Sequence, residues 1–308
     1  MSHSSAGEGN KHHYVPRSYL KRWGTSGLIR VVDLASGARY GKPITHVAME
    51  RGFYAVNAHP VDSEALEKAF GPVEGLAIKV FKKIDSGTWP LSVDDRIALG
   101  AFVILQALRG PNLRQLAESL QAGIVERENQ RVAEHGAAKW FAERGLQLTE
   151  QRAREGWDAA VGTGEPLVTI DAAYHARQIA THAETVLPYL LGRYWTLVRF
   201  DAPTLITSDA PVSLHDVEDG PRRWGLLNAP SISLPLSRTT ALVFGATYSL
   251  ESEDDAEALL GGAFDQVVQG DNVWKKRLNA RTVHNATRTL FHHPDDATLI
   301  PSELPRWG

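Results

Sequence analysis

The chain has 308 residues, 43% of them hydrophobic and 22% charged, with a formal net charge of −3. Those proportions are those of a globular protein and exclude a disordered chain, and the near-neutral balance gives no whole-surface attraction to nucleic acid, although a local basic stripe remains open. There is no cysteine, which excludes disulfides, thiolate zinc sites and cysteine nucleophiles and fits a reducing compartment.

Residues 1–11 are polar and Gly/Ser-rich and lack the apolar core of an export signal, so they read as a flexible tail. The segment Tyr14-Val15-Pro16 is expected to be extended, because the residue before a proline is pushed out of helical geometry. A short helix is predicted over 18–23 and a strand over 28–34. Ser36-Gly37 then marks a hairpin turn into Arg39-Tyr40, with a third strand at 52–56.

The middle of the chain reads as helical. Asp62 or Ser63 can cap a helix running to about 84, and Ser92 with Asp95 three residues on can cap the next. Further helical patterns cover roughly 112–145, 149–160 and 171–191. The most apolar stretch, 97–108, falls short of the roughly 20 residues that a membrane helix needs. No membrane partner is therefore expected, and the place of action is expected to be the cytoplasm.

From Tyr194 the character changes. The runs 195–200, 204–207, 232–236 and 241–244 are short, rich in β-branched or aromatic residues and separated by Pro, Asp and Gly, so they read as strands. A last helix is predicted over about 263–291, with a break near Gly270. Strands, then helices, then strands imply an α+β fold rather than alternating βαβ units. The expected organisation is one domain over 12–308, with a mostly helical part at about 62–192 packed against short N-terminal strands and a strand-rich, antiparallel part at about 194–250. A glycine-rich phosphate loop after a strand is absent from the sequence, which removes the main support for a nucleotide-binding fold.

Four segments can carry chemistry. Lys11-His12-His13-Tyr14 offers a metal ligand or general base in His13, or a histidine that merely packs on the strand. Glu67 and Glu74 lie seven residues apart, on one face of the first long helix. The next helix is apolar on all sides, so Gln106 and Arg109 are drawn into a low-dielectric region where a guanidinium needs a carboxylate. Glu67 and Glu74 are the obvious partners, either as a bridge between two helices or as part of a metal or substrate site.

Thr207-Ser208-Asp209-Ala210-Pro211 ends a predicted strand. Asp209 there can bind a metal, act as a base, or close an Asx-type turn on main-chain N–H groups. In the last predicted helix Arg277, Arg281, His284 and Arg288 share one arc, which either follows a phosphate backbone or forms the solvated side of an amphipathic helix. Asn279 falls on the apolar side, where a buried amide must find partners.

With those residues in view the chain resembles the uncharacterised bacterial family called domain of unknown function 4238. The resemblance rests on His13-Tyr14-Val15-Pro16 with Tyr19-Leu20, Phe53-Tyr54, Glu67 with Glu74, and Gln106 with Arg109 and Pro111. It continues through Thr207-Ser208-Asp209 with Pro211-Val212, Pro235-Leu236-Ser237, and Asn279 with Ala286. Gly110 stands where the family more often has threonine, and Ala210 where it tends to have a larger polar residue. The family name implies no reaction. It implies that His13, Glu67, Glu74, Arg109 and Asp209 belong to one recurring set.

The function expected from these readings is an intracellular metal-assisted hydrolase acting on a phosphodiester. Glu67, Glu74 and Asp209 would be oxygen ligands for magnesium or manganese, and His13 a further ligand or the base that activates water. Arg109 would hold a phosphoryl oxygen, and Arg277, Arg281 and Arg288 with Asn279 would bind the substrate, a nucleic acid or a phosphorylated small molecule. The alternative is a non-catalytic binding or sensor protein in which the same residues form a salt-bridge network.

Overall fold

The computed structural model describes residues 11–51, 63–109, 126–143, 145–162, 185–215, 225–248 and 252–304. The chain opens with β1 (Lys11–His13), α1 (Arg17–Leu20) and a 3-10 turn at Lys21–Trp23, then the hairpin of β2 (Leu28–Asp33) and β3 (Arg39–Pro43), and β4 (Met49–Arg51). The helices α2 (Ser63–Asp85) and α3 (Val93–Leu108) follow, then α4 (126–135), α5 (Ala137–Ala142), α6 (Glu150–Gly162) and α7 (185–191). The strand-rich part holds β5 (Arg193–Arg199), β6 (Thr207–Ser208), β7 (Ser213–His215), β8 (Ser231–Ser237) and β9 (Thr240–Thr247). After it come α8 (Glu253–Leu260), β10 (Gln266–Gln269), α9 (Asn272–Asn285) and β11 (Thr289–His292).

The result is the expected α+β fold. One sheet has the order β10-β5-β9-β8-β7, a second β3-β2-β11-β6, and β1 pairs with β4. All pairings are antiparallel except β10 with β5. The N-terminal hairpin is not a separate unit. Val31 lies opposite Phe291 and Val32 opposite Leu290, so the first and last strands share a sheet.

The largest apolar core joins the two ends of the chain to the helix pair. Tyr19, Trp23, Phe81, Phe102, Trp195, Phe244 and Phe291 are all almost fully buried in it. The Phe81 and Phe102 rings meet edge to face at 5.4 Å, the arrangement that the ring quadrupoles favour. Tyr19 sits beside them and donates its hydroxyl to the Pro235 carbonyl at 2.6 Å while contacting Thr207 Oγ1 at 3.0 Å. Trp23 Nε1 donates to the Leu205 carbonyl. Both aromatics thus bury an apolar body and satisfy a polar tip on the second sheet region.

The predicted cap of α3 is present. Asp95 N–H donates to Ser92 Oγ, and the Asp95 carboxylate takes Lys83 from the end of α2, which locks the two helices together. Gly100 of α3 faces α7, where a Cβ would come within 2.9 Å of the Leu187 side chain. The close approach of those helices therefore depends on a residue without one.

The end of the chain departs from the predicted long helix over 263–291. Residues 266–269 are a strand parallel to β5, α9 starts only at Asn272, and β11 begins at Thr289. The start is set by Asp271, whose Oδ1 accepts from the N–H groups of Val273 and Trp274. The stop at Asn285 is tertiary. Ala286 turns to extended geometry, and the next three N–H groups, of Thr287, Arg288 and Thr289, are taken by the Asp209 carboxylate.

Two other boundaries differ. The helix predicted across 112–145 is broken at Gly136, which has φ 86°, and its part before residue 126 lies outside the described residues. The strand predicted at 204–207 is only Thr207–Ser208, because the backbone of 204–206 is engaged elsewhere. The strand predicted at 52–56 and the tail at 1–10 lie outside the described residues.

Candidate functional site

Of the polar residues predicted on the helix pair, Glu74 and Arg109 meet. Arg109 caps the C-terminus of α3 and is 4% exposed. Its Nη1 donates to Glu74 Oε1 on α2, and its Nη2 donates to the main-chain carbonyl of His13 in β1. The guanidinium lies over the Phe70 ring at 5.0 Å. One arginine therefore ties together three elements distant in the sequence, through a charged pair, a carbonyl and a ring face. Glu74 remains partly open, with 22% of its side chain exposed, so the cluster reaches solvent on the α2 side.

Phe70 and Glu74 are one helical turn apart, and residue 67 lies one turn before Phe70 on the same side of the α2 backbone. The side chain of Glu67 lies outside the described residues, as does that of His12. Phe70 was not legible as a site residue. Its only signal is its position between two glutamates at helical spacing.

Gln106 is buried, as the apolar helix around it implied. It sits three residues before Arg109 on α3, is 2% exposed, and neither Nε2 nor Oε1 has a hydrogen-bond partner among the described residues. A buried donor or acceptor left unsatisfied costs about 1–3 kcal/mol, and Gln106 carries both. Such a side chain within a turn of a buried guanidinium is where a ligand, an ion or ordered water would be held.

Asp209 is not part of this cluster. It is fully buried, and its Oδ1 accepts from Thr287 N–H at 2.9 Å and its Oδ2 from Arg288 N–H at 2.8 Å and Thr289 N–H at 3.2 Å. It shares no hydrogen bond or ion pair with His13, Glu74 or Arg109. Burial pushes its carboxyl up to about 6, against the opposing pull of the three N–H donors. Its geometry is the turn-closing one, a carboxylate that folds the α9–β11 link onto β6.

Asn279 likewise has a structural partner for each end of its amide. Oδ1 accepts from Ile206 N–H at 3.1 Å and Nδ2 donates to the Thr204 carbonyl at 2.9 Å, which is why 204–206 does not pair as a strand. The basic arc on the last helix is not continuous. Arg277 and His284 are exposed on α9, but Arg281 is 7% exposed and Arg288 lies beyond the end of the helix. The helical period that aligned the four residues in the sequence stops at Asn285.

Among the described residues no group of three or more His, Asp or Glu side chains is placed to hold a metal ion. The described oxygen donor for a hard cation at the Arg109 cluster would be Glu74. Also among the described residues, no helix is long and apolar enough to cross a membrane.

The chain belongs to the family described as protein of unknown function (DUF4238), whose profile matches residues 11–296. No curated protein and no solved structure matches it. The matched span begins at β1 and ends beyond β11, so it takes in every residue of the Arg109 cluster as well as Asp209 and Asn279.

Proposed function

We propose that this DUF4238 protein is a metal-assisted hydrolase whose reaction centre is the cluster of His13, Glu67, Glu74, Gln106 and Arg109. The observation that carries the reading is Gln106, a buried amide whose two ends have no partner among the described residues, three residues before the arginine fixed by Glu74 and the His13 carbonyl. A site that only positions its own residues would not leave that amide bare. Glu67 and Glu74 would hold magnesium or manganese, which when bound supplies an activated water and a Lewis acid for the leaving oxygen. His13 would be a further ligand or the base, Gln106 would orient the substrate by hydrogen bonds, and Arg109 would take a phosphoryl oxygen.

A phosphodiester is the substrate class that best suits a fixed guanidinium beside a carboxylate, and nucleic acid or a phosphorylated small molecule are its natural forms. Arg277 and Arg288, both exposed, would contribute to following a substrate strand. The cysteine-free composition supports a reducing, cytoplasmic place of action. Asp209 is left out of the ligand set, because its two oxygens already serve three main-chain donors.

The test is a melting curve with manganese against chelator, run beside hydrolysis of bis(p-nitrophenyl) phosphate. Metal at 100 times its dissociation constant stabilises a folded protein by about 2.7 kcal/mol, a shift easily read. Both the shift and the hydrolysis should vanish in Glu74→Gln. Hydrolysis that is indifferent to metal, or unchanged in that variant, would overturn the reading.

A second reading, a non-catalytic binding or sensor protein, draws on the closed Arg109–Glu74 pair. In that case the two melting curves coincide and no hydrolysis appears with any metal.

A further inference from the structure

A second polar site lies away from the Arg109 cluster and shares no residue with it. The C-terminal end of α2, the turn after α1, the end of β5 and the β8–β9 hairpin converge on an open cleft of about 470 Å³. Three arginines line it, Arg22, Arg199 and Arg238, together with the hydroxyl residues Ser237, Thr239 and Thr240.

Two of the arginines are held rigidly by carboxylates. Arg22 forks onto Asp85 with Nη1 at 2.9 Å and Nη2 at 2.7 Å, and its Nε donates to the Leu236 carbonyl. Arg238 forks onto Asp296 through Nε at 2.7 Å and Nη2 at 2.8 Å, which leaves Nη1 without an acceptor among the described residues. Each is a fixed donor rather than a waving surface cation.

Arg199 is different. Nη2 donates to the Ile84 carbonyl at 2.7 Å, and among the described residues no carboxylate pairs with it. Arg22 and Arg238 each have a carboxylate partner, Asp85 and Asp296, and Asp295 adds a negative charge near Arg238, so Arg199 is the cleft's one cation with no ion pair among the described residues. It faces hydroxyls presented by a tight turn, in which Thr239 N–H donates to Ser237 Oγ. Preorganised guanidinium forks, an arginine with no carboxylate partner among the described residues and side-chain hydroxyls are the donor set that suits a tetrahedral oxyanion.

We propose that this cleft binds a phosphoryl group, as free phosphate or as the terminal group of a phosphate monoester. Arg199 provides the charge, Arg238 a directed N–H, and Thr239 a hydroxyl. An ordinary arginine cap on the α2 carbonyls would account for one N–H of Arg199 and for nothing else in the cleft.

Calorimetric titration of the full chain with inorganic phosphate and, separately, with phenyl phosphate tests this, with sodium chloride matched for ionic strength throughout. Saturable one-to-one binding in the millimolar range or tighter is expected, at least tenfold weaker in Arg199→Gln and unchanged in Arg152→Gln, an exposed arginine on α6. Tighter binding of phenyl phosphate assigns the cleft to a monoester, and equal binding assigns it to free phosphate. Should Arg199→Gln not fold by circular dichroism, Thr239→Ala takes its place with a several-fold loss expected. No saturable phosphate binding by the unmodified chain, or affinity unchanged in the cleft variants, overturns the proposal.

Discussion

Asn279→Ala separates a structural amide from a substrate-binding one. Asn279 is 8% exposed and Ile206 is fully buried. Removing the amide leaves the Ile206 N–H without its 3.1 Å acceptor and the Thr204 carbonyl without its 2.9 Å donor. At about 1–3 kcal/mol for each buried group left unsatisfied, with the carbonyl at the low end because it is only partly buried, the loss is about 3 kcal/mol. At roughly 2–4 °C per kcal/mol for a chain of more than 150 residues, the melting temperature should fall by about 10 °C. Urea denaturation followed by tryptophan fluorescence gives the free energy directly. Asn279→Asp sharpens the test. It keeps the acceptor for Ile206 but turns a carboxylate oxygen toward the Thr204 carbonyl, so its stability should improve as pH falls and the introduced carboxyl gains a proton to donate. A loss below about 0.5 kcal/mol in Asn279→Ala, or phosphodiester hydrolysis lost at unchanged stability, would refute the structural assignment.

Two further outcomes follow from buried charges. The Asp209 carboxyl titrates near 3.8 when unfolded and at about 6 when folded, so the folded state holds a proton that the unfolded chain has released. Stability should therefore decline as pH rises from about 4 to about 6, by about 3 kcal/mol at roughly 1.4 kcal/mol per unit. Asp209→Asn should flatten that part of the stability profile while leaving the response to manganese intact, and an identical slope in the two proteins would sink the assignment. Arg96 and Asp265 form an ion pair whose side chains have no exposure, with the guanidinium 4.2 Å from the centre of the Trp195 ring. Arg96→Leu strands a buried carboxylate and should cost about 3–5 kcal/mol, whereas Arg96→Met with Asp265→Leu should recover most of it. A double variant as unstable in urea as the single one would show that packing, not the unpaired charge, was at stake.

The sequence was most informative where the physics is local. Ser92 followed by Asp95 announced the start of α3, and Ser36-Gly37 announced the β2–β3 hairpin. The apolar run of α3 led to a helix expected to be buried on every side; it is buried from Phe102 to Gln106 but leaves Ile97 exposed, while Arg109 at its end is buried and takes a carboxylate. Glu74 was a correct partner because the seven-residue spacing of Glu67 and Glu74 is a property of one helix. Asp209 and Asn279 were read correctly as polar groups in need of partners, and the open alternative was what those partners are. Both turned out to be main-chain groups. The helix over 263–291 failed as one element because its continuation through Ala286 competes with a carboxylate that lies 78 positions earlier than Thr287. No window along the chain contains that competitor.

The sequence by itself thus determined the class of fold, the buried helix pair and the residue types that must pair within it, because helix period, capping and desolvation act over a few neighbouring residues. Tertiary structure alone decided which polar groups share a site. It brought the His13 carbonyl to Arg109, engaged Asp209 in closing a turn, and assembled Arg22, Arg199 and Arg238 into one cleft. The physical reason is that convergence depends on strand order and crossing elements, and hydrogen bonds are decided by distances of about 3 Å between residues that may be 200 positions apart.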